Sequence, residues 1–214
     1  MTFLPDLSIL VGFTLAAVFL TLTPGPDMTF YLSRTVMAGR AAGFAAFIGA
    51  SAGLVVHSTL AAVGLSALLA ASATAFTVLK VAGCLYLLWL ALGAIRHGSA
   101  FSLDREGRKS EPLARVFLKA IGINLLNPKI IIFFVTFLPQ FVSPADPHAM
   151  GKLFFLGLWF IGISIPLTIP MILGADRIST FLKSSPKFLR GFDFGFAGVM
   201  AAFAVKLVMT QGRS

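Results

Sequence analysis

The stretch Thr23-Pro24-Gly25-Pro26-Asp27 interrupts an apolar run that begins near Leu7, and the rest of the chain is organised around this interruption. Proline lacks a backbone N–H and clashes with the preceding turn, and glycine adds backbone freedom, so the stretch cannot continue an α-helix. The last residue of the stretch is a carboxylate in an otherwise apolar region. The sequence therefore predicts a helix that breaks beside a charged side chain.

A second interruption, Asn127-Pro128-Lys129, lies in the other half of the chain and carries the opposite charge. Asn127 is a favoured N-cap residue and Pro128 a favoured first residue for a helix over residues 129–142. A helix start has a positive dipole end to which Lys129 adds charge, so this break suits an anion, whereas Asp27 suits a cation. Paired breaks in the two halves of an apolar chain are the best sequence indication of a transporter's binding site.

The composition indicates a protein that is embedded in a lipid bilayer. Of the 214 residues, 57% are hydrophobic and 12% are charged, whereas about a quarter of the residues in a soluble domain are charged. The length allows five or six spans of about 20 residues each and no separate soluble domain. The formal net charge of +9 indicates anchoring in the membrane, not nucleic-acid binding, because the basic residues cluster between apolar runs.

The sequence predicts neither a cofactor nor a metal site. The single cysteine, Cys84, lies in an apolar segment, which excludes a disulfide framework and a redox pair. His57, His97 and His148 are scattered along the chain without the spacing of metal ligands. No glycine-rich phosphate-binding loop is present. We therefore expect no catalytic residues of a metal- or nucleotide-dependent enzyme.

The predicted fold is an all-α integral membrane protein with six transmembrane helices, of which the first and fourth are broken: 7–37, 41–60, 75–95, 112–142, 153–173 and 192–209. An uncharged link covers 64–74, and a polar cytoplasmic linker, 96–111, separates a first repeat, 1–95, from a second, 112–214. Each repeat has three spans, so the second must be inverted relative to the first, as in many secondary transporters. A five-span arrangement is the alternative.

The positive charges predict the orientation of these spans. Twelve of the 17 lysines and arginines lie in the links after the first, third and fifth spans or in the ends of the spans that border these links. The positive-inside rule therefore places these links in the cytoplasm and both termini outside. Pro166 and Pro170 predict a kink in the fifth span. The span is followed by a predicted basic loop that contains Arg177, Lys183, Lys187 and Arg190.

The candidate binding and coupling site combines both breaks with one histidine inside a span: Thr23, Pro24, Gly25, Pro26, Asp27, Asn124, Asn127, Pro128, Lys129 and His57. Polar side chains such as Thr21 could satisfy a simple proline kink. A charge at the bilayer centre costs about 2.5–3.5 kcal/mol, however, which packing alone does not explain. Asp27 and Lys129 can receive the ammonium and carboxylate of a zwitterionic amino acid, or pair with each other. His57 can relay protons or make a structural hydrogen bond.

Several motifs carry a resemblance to a known family: Leu22-Thr23-Pro24-Gly25-Pro26-Asp27-Met28, Gly39-Arg40-Ala41-Ala42-Gly43, Leu79-Lys80 with Gly83, Tyr86-Leu87-Leu88-Trp89-Leu90, Asn124-Leu125-Leu126-Asn127-Pro128-Lys129, and Phe137-Leu138-Pro139-Gln140-Phe141. They resemble the LysE/RhtB family of bacterial amino-acid exporters over nearly the whole chain. The resemblance implies a multi-pass carrier of the bacterial inner membrane that exports amino acids or related metabolites, driven by the proton motive force. It does not name the substrate.

We therefore expect a secondary transporter that exports amino acids or closely related metabolites. The alternatives are a membrane-embedded enzyme, which would need a catalytic constellation, and a channel or scaffold subunit, which would not need opposite charges at two matched breaks. The expected partners are an amino-acid substrate, protons and the lipid bilayer, without nucleic acid. A homo-oligomer is compatible with the sequence.

Overall fold

The structure is a computed structural model that describes residues 5–72, 111–143 and 146–185, with scattered residues in 74–89 and 187–202. Within these ranges the secondary structure is helical and includes no strand. The predicted third span, 75–95, the linker, 96–111, and the sixth span, 192–209, lie largely outside the described residues. The six-span inverted repeat and its two halves therefore stay a prediction.

The first predicted break is confirmed. Helix α1 covers Leu7–Leu22 and helix α2 covers Pro26–Ala38, and their axes are bent by 51°. Gly25 precedes α2 in an extended conformation, and Pro26 takes the first helical position, where its missing N–H does no harm. The two prolines therefore both end the first helix and start the second.

Helix α3 covers Arg40–Ala71 and is longer than the predicted span of 41–60. The predicted link over 64–74 is wrong for residues up to Ala71, because the helix continues through Gly64. The sequence after this glycine is rich in alanine and leucine and contains no proline, so nothing forces a stop. Its 32 residues extend about 48 Å, which exceeds the hydrocarbon thickness of a bilayer.

The second predicted break is also confirmed. Helix α4 covers Leu113–Leu125, helix α5 covers Pro128–Ile132, and the two segments around the break are bent by 52°. The expectation of one α-helix over 129–142 is wrong, since α5 continues as a π-helical turn, Phe133–Phe137, and a 3-10 turn, Leu138–Phe141. Pro139 lacks the N–H that a regular helix would need there, and the phenylalanines of this segment pack into the core.

Helix α6 covers Ala149–Leu173 and confirms the predicted fifth span, with a start four residues earlier than 153. Its prolines lie inside one helix, and the kink they predict stays a prediction. The basic loop predicted after it is wrong for residues 175–184, which form helix α7, Ala175–Ser184. Helix α7 is amphipathic, and it packs against α2 with Ile178 on its buried side.

Helix α3 packs closely against α4 and α6 because it meets both neighbours with small residues. A methyl group added at Gly49 would meet the backbone carbonyl of Phe117, and one at Gly53 would meet the side chain of Asn124. On the other side, Gly157 of α6 lies against Ser58 of α3. These close approaches bring the backbones of the neighbouring helices together and fix the position of Asn124.

Four membrane-spanning segments are compatible with the described part of the chain. Helices α3 and α6 are each long and apolar enough to cross a bilayer, and each bent pair, α1–α2 and α4–α5, passes as one further span. Many large apolar side chains are exposed on the surface, among them Leu7, Val11 and Leu15 of α1. The chain is thus a multi-pass membrane protein whose exposed apolar side chains suit contact with lipid.

Candidate functional site

The first break leaves the carbonyl of Leu20 without a donor from its own helix. In a regular α-helix this oxygen would accept from the N–H four residues later, but that residue is Pro24. The ammonium of Lys129 fills the place: its Nζ donates to the carbonyl oxygens of Leu20, at 3.0 Å, and Thr23, at 2.7 Å. The negative end of the α1 dipole favours a cation at this point.

Gly25 makes room for this lysine. A methyl group added at Gly25 would lie 3.1 Å from Nζ and 3.3 Å from Cε of Lys129, closer than most side-chain contacts in proteins. The φ angle of Gly25 is −167°, which any residue can adopt, so the backbone conformation does not require glycine here. Glycine thus leaves space for the lysine side chain over the break, and a larger residue would displace that side chain by a few tenths of an ångström.

Asp27 is held by the second break. Its Oδ2 accepts hydrogen bonds from Nδ2 of Asn124, at 3.0 Å, and from Nδ2 of Asn127, at 2.9 Å. Its Oδ1 is buried and has no hydrogen-bond partner among the described residues. Asn127 also caps α5 as predicted, since its Oδ1 accepts from the backbone N–H of Lys129 at 3.1 Å. One asparagine therefore ends one break and holds the charge of the other.

His57 contacts the backbone of Asn124, whose side chain holds Asp27. The carbonyl of Asn124 loses its helical donor to Pro128, and it accepts instead from the N–H of Asn127 at 3.0 Å. Nε2 of His57 lies 3.4 Å from the same oxygen, and the imidazole ring lies 5.6 Å from the ring of Phe134. This geometry supports the structural hydrogen bond that was one of the two expectations for His57.

A cavity of about 60 Å³ lies between the two breaks, where the hydrophobic clusters around Phe13 and around Tyr31 meet. Six of the predicted site residues line it, whereas the three break prolines and His57 do not: Thr23, Gly25, Asp27, Asn124, Asn127 and Lys129. The structure thus brings both breaks to one space. The prolines act by freeing backbone carbonyls, not by contact with the cavity.

Among the cavity residues that the sequence analysis did not mention are four polar ones: Tyr31, Ser51, Ser164 and Thr168. All carry hydroxyl groups inside apolar helices, and Ser164 and Thr168 are one turn apart beside the prolines of α6. Their pattern does not identify them, because serine and threonine often bond to their own helix. Ser51 does so with the carbonyl of Phe47, and Ser164 with that of Ile161.

Two carboxylates outside the spans, Glu111 and Asp146, form ionic contacts. Glu111 contacts Arg34 of α2, at 3.1 Å, and Lys119 of α4, at 2.5 Å, and so joins the first break's segment to the second's. The hydrogen bond from Lys119 holds the pKa of Glu111 below its ordinary value. Asp146 contacts Lys152 at 2.5 Å, and the hydrogen bond from this lysine likewise lowers the pKa of Asp146.

Residues 18–211 match the model of the LysE type translocator family. The chain belongs to this family. The homoserine/homoserine lactone efflux proteins of Salmonella typhimurium and Salmonella typhi are each 30% identical to this translocator over 188 residues, which cover 88% of its chain and 90% of theirs. An uncharacterized membrane protein of Vibrio cholerae is 34% identical over 143 residues, 67% of this chain and 69% of its own. No solved structure matches the translocator.

The family confirms the resemblance found in the motifs, and it makes this protein a transporter and not the alternative, a membrane-embedded enzyme. The match runs through both breaks, since Pro24 and Pro128 fall inside the matched residues. The cavity between the breaks is therefore the candidate site of a translocator.

Proposed function

We propose that this translocator exports small amino acids of the homoserine type, and closely related metabolites, out of the bacterial cytoplasm. The observation that carries the proposal is the cavity between the two breaks, which is lined by both a carboxylate, Asp27, and an ammonium, Lys129. Relatives named for the efflux of homoserine and homoserine lactone support this substrate class. The basic links and the apolar spans favour the inner membrane as its location.

Opposite charges in one cavity suit a zwitterion. Asp27 offers an unpartnered carboxylate oxygen to a substrate ammonium, and Lys129, at the start of α5, offers a cation to a substrate carboxylate. Homoserine carries both groups, whereas its lactone keeps the amine and has an ester in place of the carboxylate. A site for both compounds must therefore recognise the amine above all.

We also propose that export is coupled to proton entry through Asp27. A proton-coupled exporter can use one group that binds a proton in one state and the substrate in another, and a carboxylate in a substrate cavity can do both. Asp27 is the carboxylate that lines this cavity, and its two asparagine partners are neutral donors that tolerate either state of the remaining oxygen. His57 contacts the backbone of Asn124 and is the second candidate for this role.

Uptake of radiolabelled homoserine into inverted membrane vesicles tests the function. In such vesicles the lumen corresponds to the outside of the cell, so an acidic lumen should drive homoserine inward. We expect uptake against a gradient with the unaltered protein and loss of this concentrative uptake with Asp27→Asn. The matched control is Asp176→Asn, which removes one exposed carboxylate from α7 and should leave uptake unchanged.

Three results would contradict the proposal in different parts. If homoserine, its lactone and threonine all fail to enter the vesicles, whether or not lysine enters, the substrate class is wrong. Uptake at the same rate with and without the pH difference would contradict proton coupling and favour a passive channel. Normal concentrative uptake by Asp27→Asn would show that coupling lies elsewhere, with His57 the next residue to test.

A further inference from the structure

We propose that the ammonium of Lys129 occupies the subsite for the substrate's amine, formed by the carbonyl oxygens of Leu20 and Thr23, and that the arriving amine displaces it. The inference rests on the proposed function, because it takes the substrate to be a primary amine. The side chain of Lys129 then presents the same primary ammonium group that the translocator recognises in its substrate. It holds the site closed until a free amine replaces it.

The two carbonyls form a site for an ammonium by their own chemistry. Pro24 removes the only helical donor that the Leu20 carbonyl could have had, so its donor must come from elsewhere. Distances of 3.0 and 2.7 Å to Nζ are those of hydrogen bonds assisted by a charge, and the end of α1 contributes a negative dipole end. A primary ammonium makes the same bonds whether a lysine or an amino acid carries it.

The surroundings of Lys129 allow such an exchange. The cavity of about 60 Å³ holds only a few water molecules while the lysine lies across Gly25, so a substrate needs the space that the side chain now fills. Asp27 lines the same cavity with an unpartnered carboxylate oxygen. An amine bound to the two carbonyls would therefore share the cavity with a negative charge. The displaced lysine is then available to the substrate's carboxylate, as the zwitterion model requires.

The exchange also accounts for the resting state. Two buried carbonyls without donors would be costly within a membrane, because lipid offers them no hydrogen bond. Lys129 satisfies them when no substrate is present, and the substrate's amine satisfies them when it is bound. The same subsite serves homoserine and its lactone, because both carry the amine that replaces the lysine.

Binding of methylammonium to the purified full-length protein tests the inference without any transport. The variant Lys129→Met keeps the length of the side chain but leaves the carbonyl subsite without its ammonium. We expect methylammonium to raise the thermal unfolding temperature of Lys129→Met at concentrations about tenfold lower than for the unaltered protein, because no lysine ammonium then competes for the two carbonyls. Tetramethylammonium has no N–H donors and should have no such effect.

Chemical restoration of the lysine provides the matched control. In a Cys84→Ser background, Lys129→Cys is treated with bromoethylamine, which alkylates the thiol and restores an ammonium at lysine length, or with bromoethane, which does not. The ethylated protein should be stabilised by methylammonium as Lys129→Met is, and the aminoethylated protein should not. Equal responses of the two alkylated proteins would overturn the inference.

Poor folding of Lys129→Met alone would still give an answer. Purification in methylammonium should then yield folded protein that unfolds when the ion is dialysed away, and equal rescue by tetramethylammonium would contradict the subsite. Failure of the proposed function gives a different pattern. Tight methylammonium binding to Lys129→Met, together with no uptake of any amino acid, would leave the subsite standing and reject the substrate class.

Discussion

The two breaks have nearly the same bend, 51° and 52°, but they satisfy their freed backbone carbonyls in different ways. At the second break the Asn124 carbonyl accepts from the N–H of Asn127, within the same segment, and His57 is an additional and longer contact. At the first break the Leu20 carbonyl receives its hydrogen bond from Lys129, which is 109 residues away in sequence. The second break is thus largely self-sufficient, whereas the first depends on the second.

The contacts of the two charges show the same asymmetry, because every donor belongs to the second break and every acceptor to the first. Asp27 of the first break takes two hydrogen bonds from asparagines of the second, and Lys129 of the second gives two hydrogen bonds to carbonyls of the first. In this arrangement each charge has neutral polar groups of the other break as hydrogen-bond partners. Such polar partners can exchange for a ligand at less cost than a buried ion pair can.

Removal of the Asp27 carboxylate should have the largest effect on this arrangement. Asp27→Ala leaves the amides of Asn124 and Asn127 without an acceptor, at about 1–3 kcal/mol for each buried donor. We expect the free energy of unfolding in mixed micelles to fall by about 2–6 kcal/mol. Asp27→Asn should lose much less, because its amide oxygen still accepts, and similar losses in both variants would show that charge, not acceptance, matters.

Removal of the donors should separate the two breaks. Lys129→Met leaves the carbonyls of Leu20 and Thr23 without their ammonium. We expect the free energy of unfolding to fall by roughly 2 kcal/mol, because the lost hydrogen bonds outweigh the saved cost of burying the ammonium. His57→Phe should lose less than about 1 kcal/mol, because Asn127 already serves the Asn124 carbonyl. Chemical unfolding of both variants under one set of conditions measures the difference. Equal losses would mean that the two breaks are equally dependent on distant donors.

A methyl group at Gly53 should disturb the second break from outside. Gly53→Ala pushes against the side chain of Asn124, and overpacking of this kind costs about 1–3 kcal/mol, partly offset by the better helix propensity of alanine. We expect a net loss of about 1 kcal/mol together with reduced homoserine uptake. Gly64→Ala in the same helix meets no atom within 4 Å and should be neutral or slightly stabilising. Unchanged uptake by Gly53→Ala would show that the place of Asn124 is not critical.

The smallest effect should come from the contact outside the spans. The pKa of Glu111 is lowered in the folded protein, chiefly by the hydrogen bond from Lys119, so ionised Glu111 stabilises the fold above the ordinary carboxyl pKa of 4.5. This contribution disappears as the pH falls from that value through the lowered one. Thermal unfolding of Glu111→Gln should therefore occur below that of the unaltered protein at pH 7, and the gap should close in acid. A gap that persists in acid would rule out the ionised contact.

Prolines made the breaks predictable, because they remove donors whatever surrounds them. The sequence identified both breaks, the charge at each, and six residues that line one cavity: Thr23, Gly25, Asp27, Asn124, Asn127 and Lys129. The sequence did not reveal which group of one break serves the other. Those partners lie about a hundred residues apart, and only the bend angles and the packing of α3 bring them together.

Errors in the prediction have physical causes of the same kind. The end of α3 was placed too early, because Gly64 in an open environment costs too little to stop an alanine-rich helix. Helix α7 was expected as a basic loop, although its spacing of apolar residues allows one face to pack on α2. The sequence does not identify Ser164 and Thr168 as site residues, because they line a cavity that residues of other helices complete.

The crossed contacts between the breaks set an order for biogenesis. The ribosome makes Asp27 and the end of α1 before it makes their partners, which follow 97 to 109 residues later. During that interval the first segment holds a charge and open carbonyls that lipid cannot satisfy. It must wait beside water or inside the insertion machinery until α4 and α5 arrive. We therefore expect the two broken segments, α1–α2 and α4–α5, to complete their insertion into the membrane together.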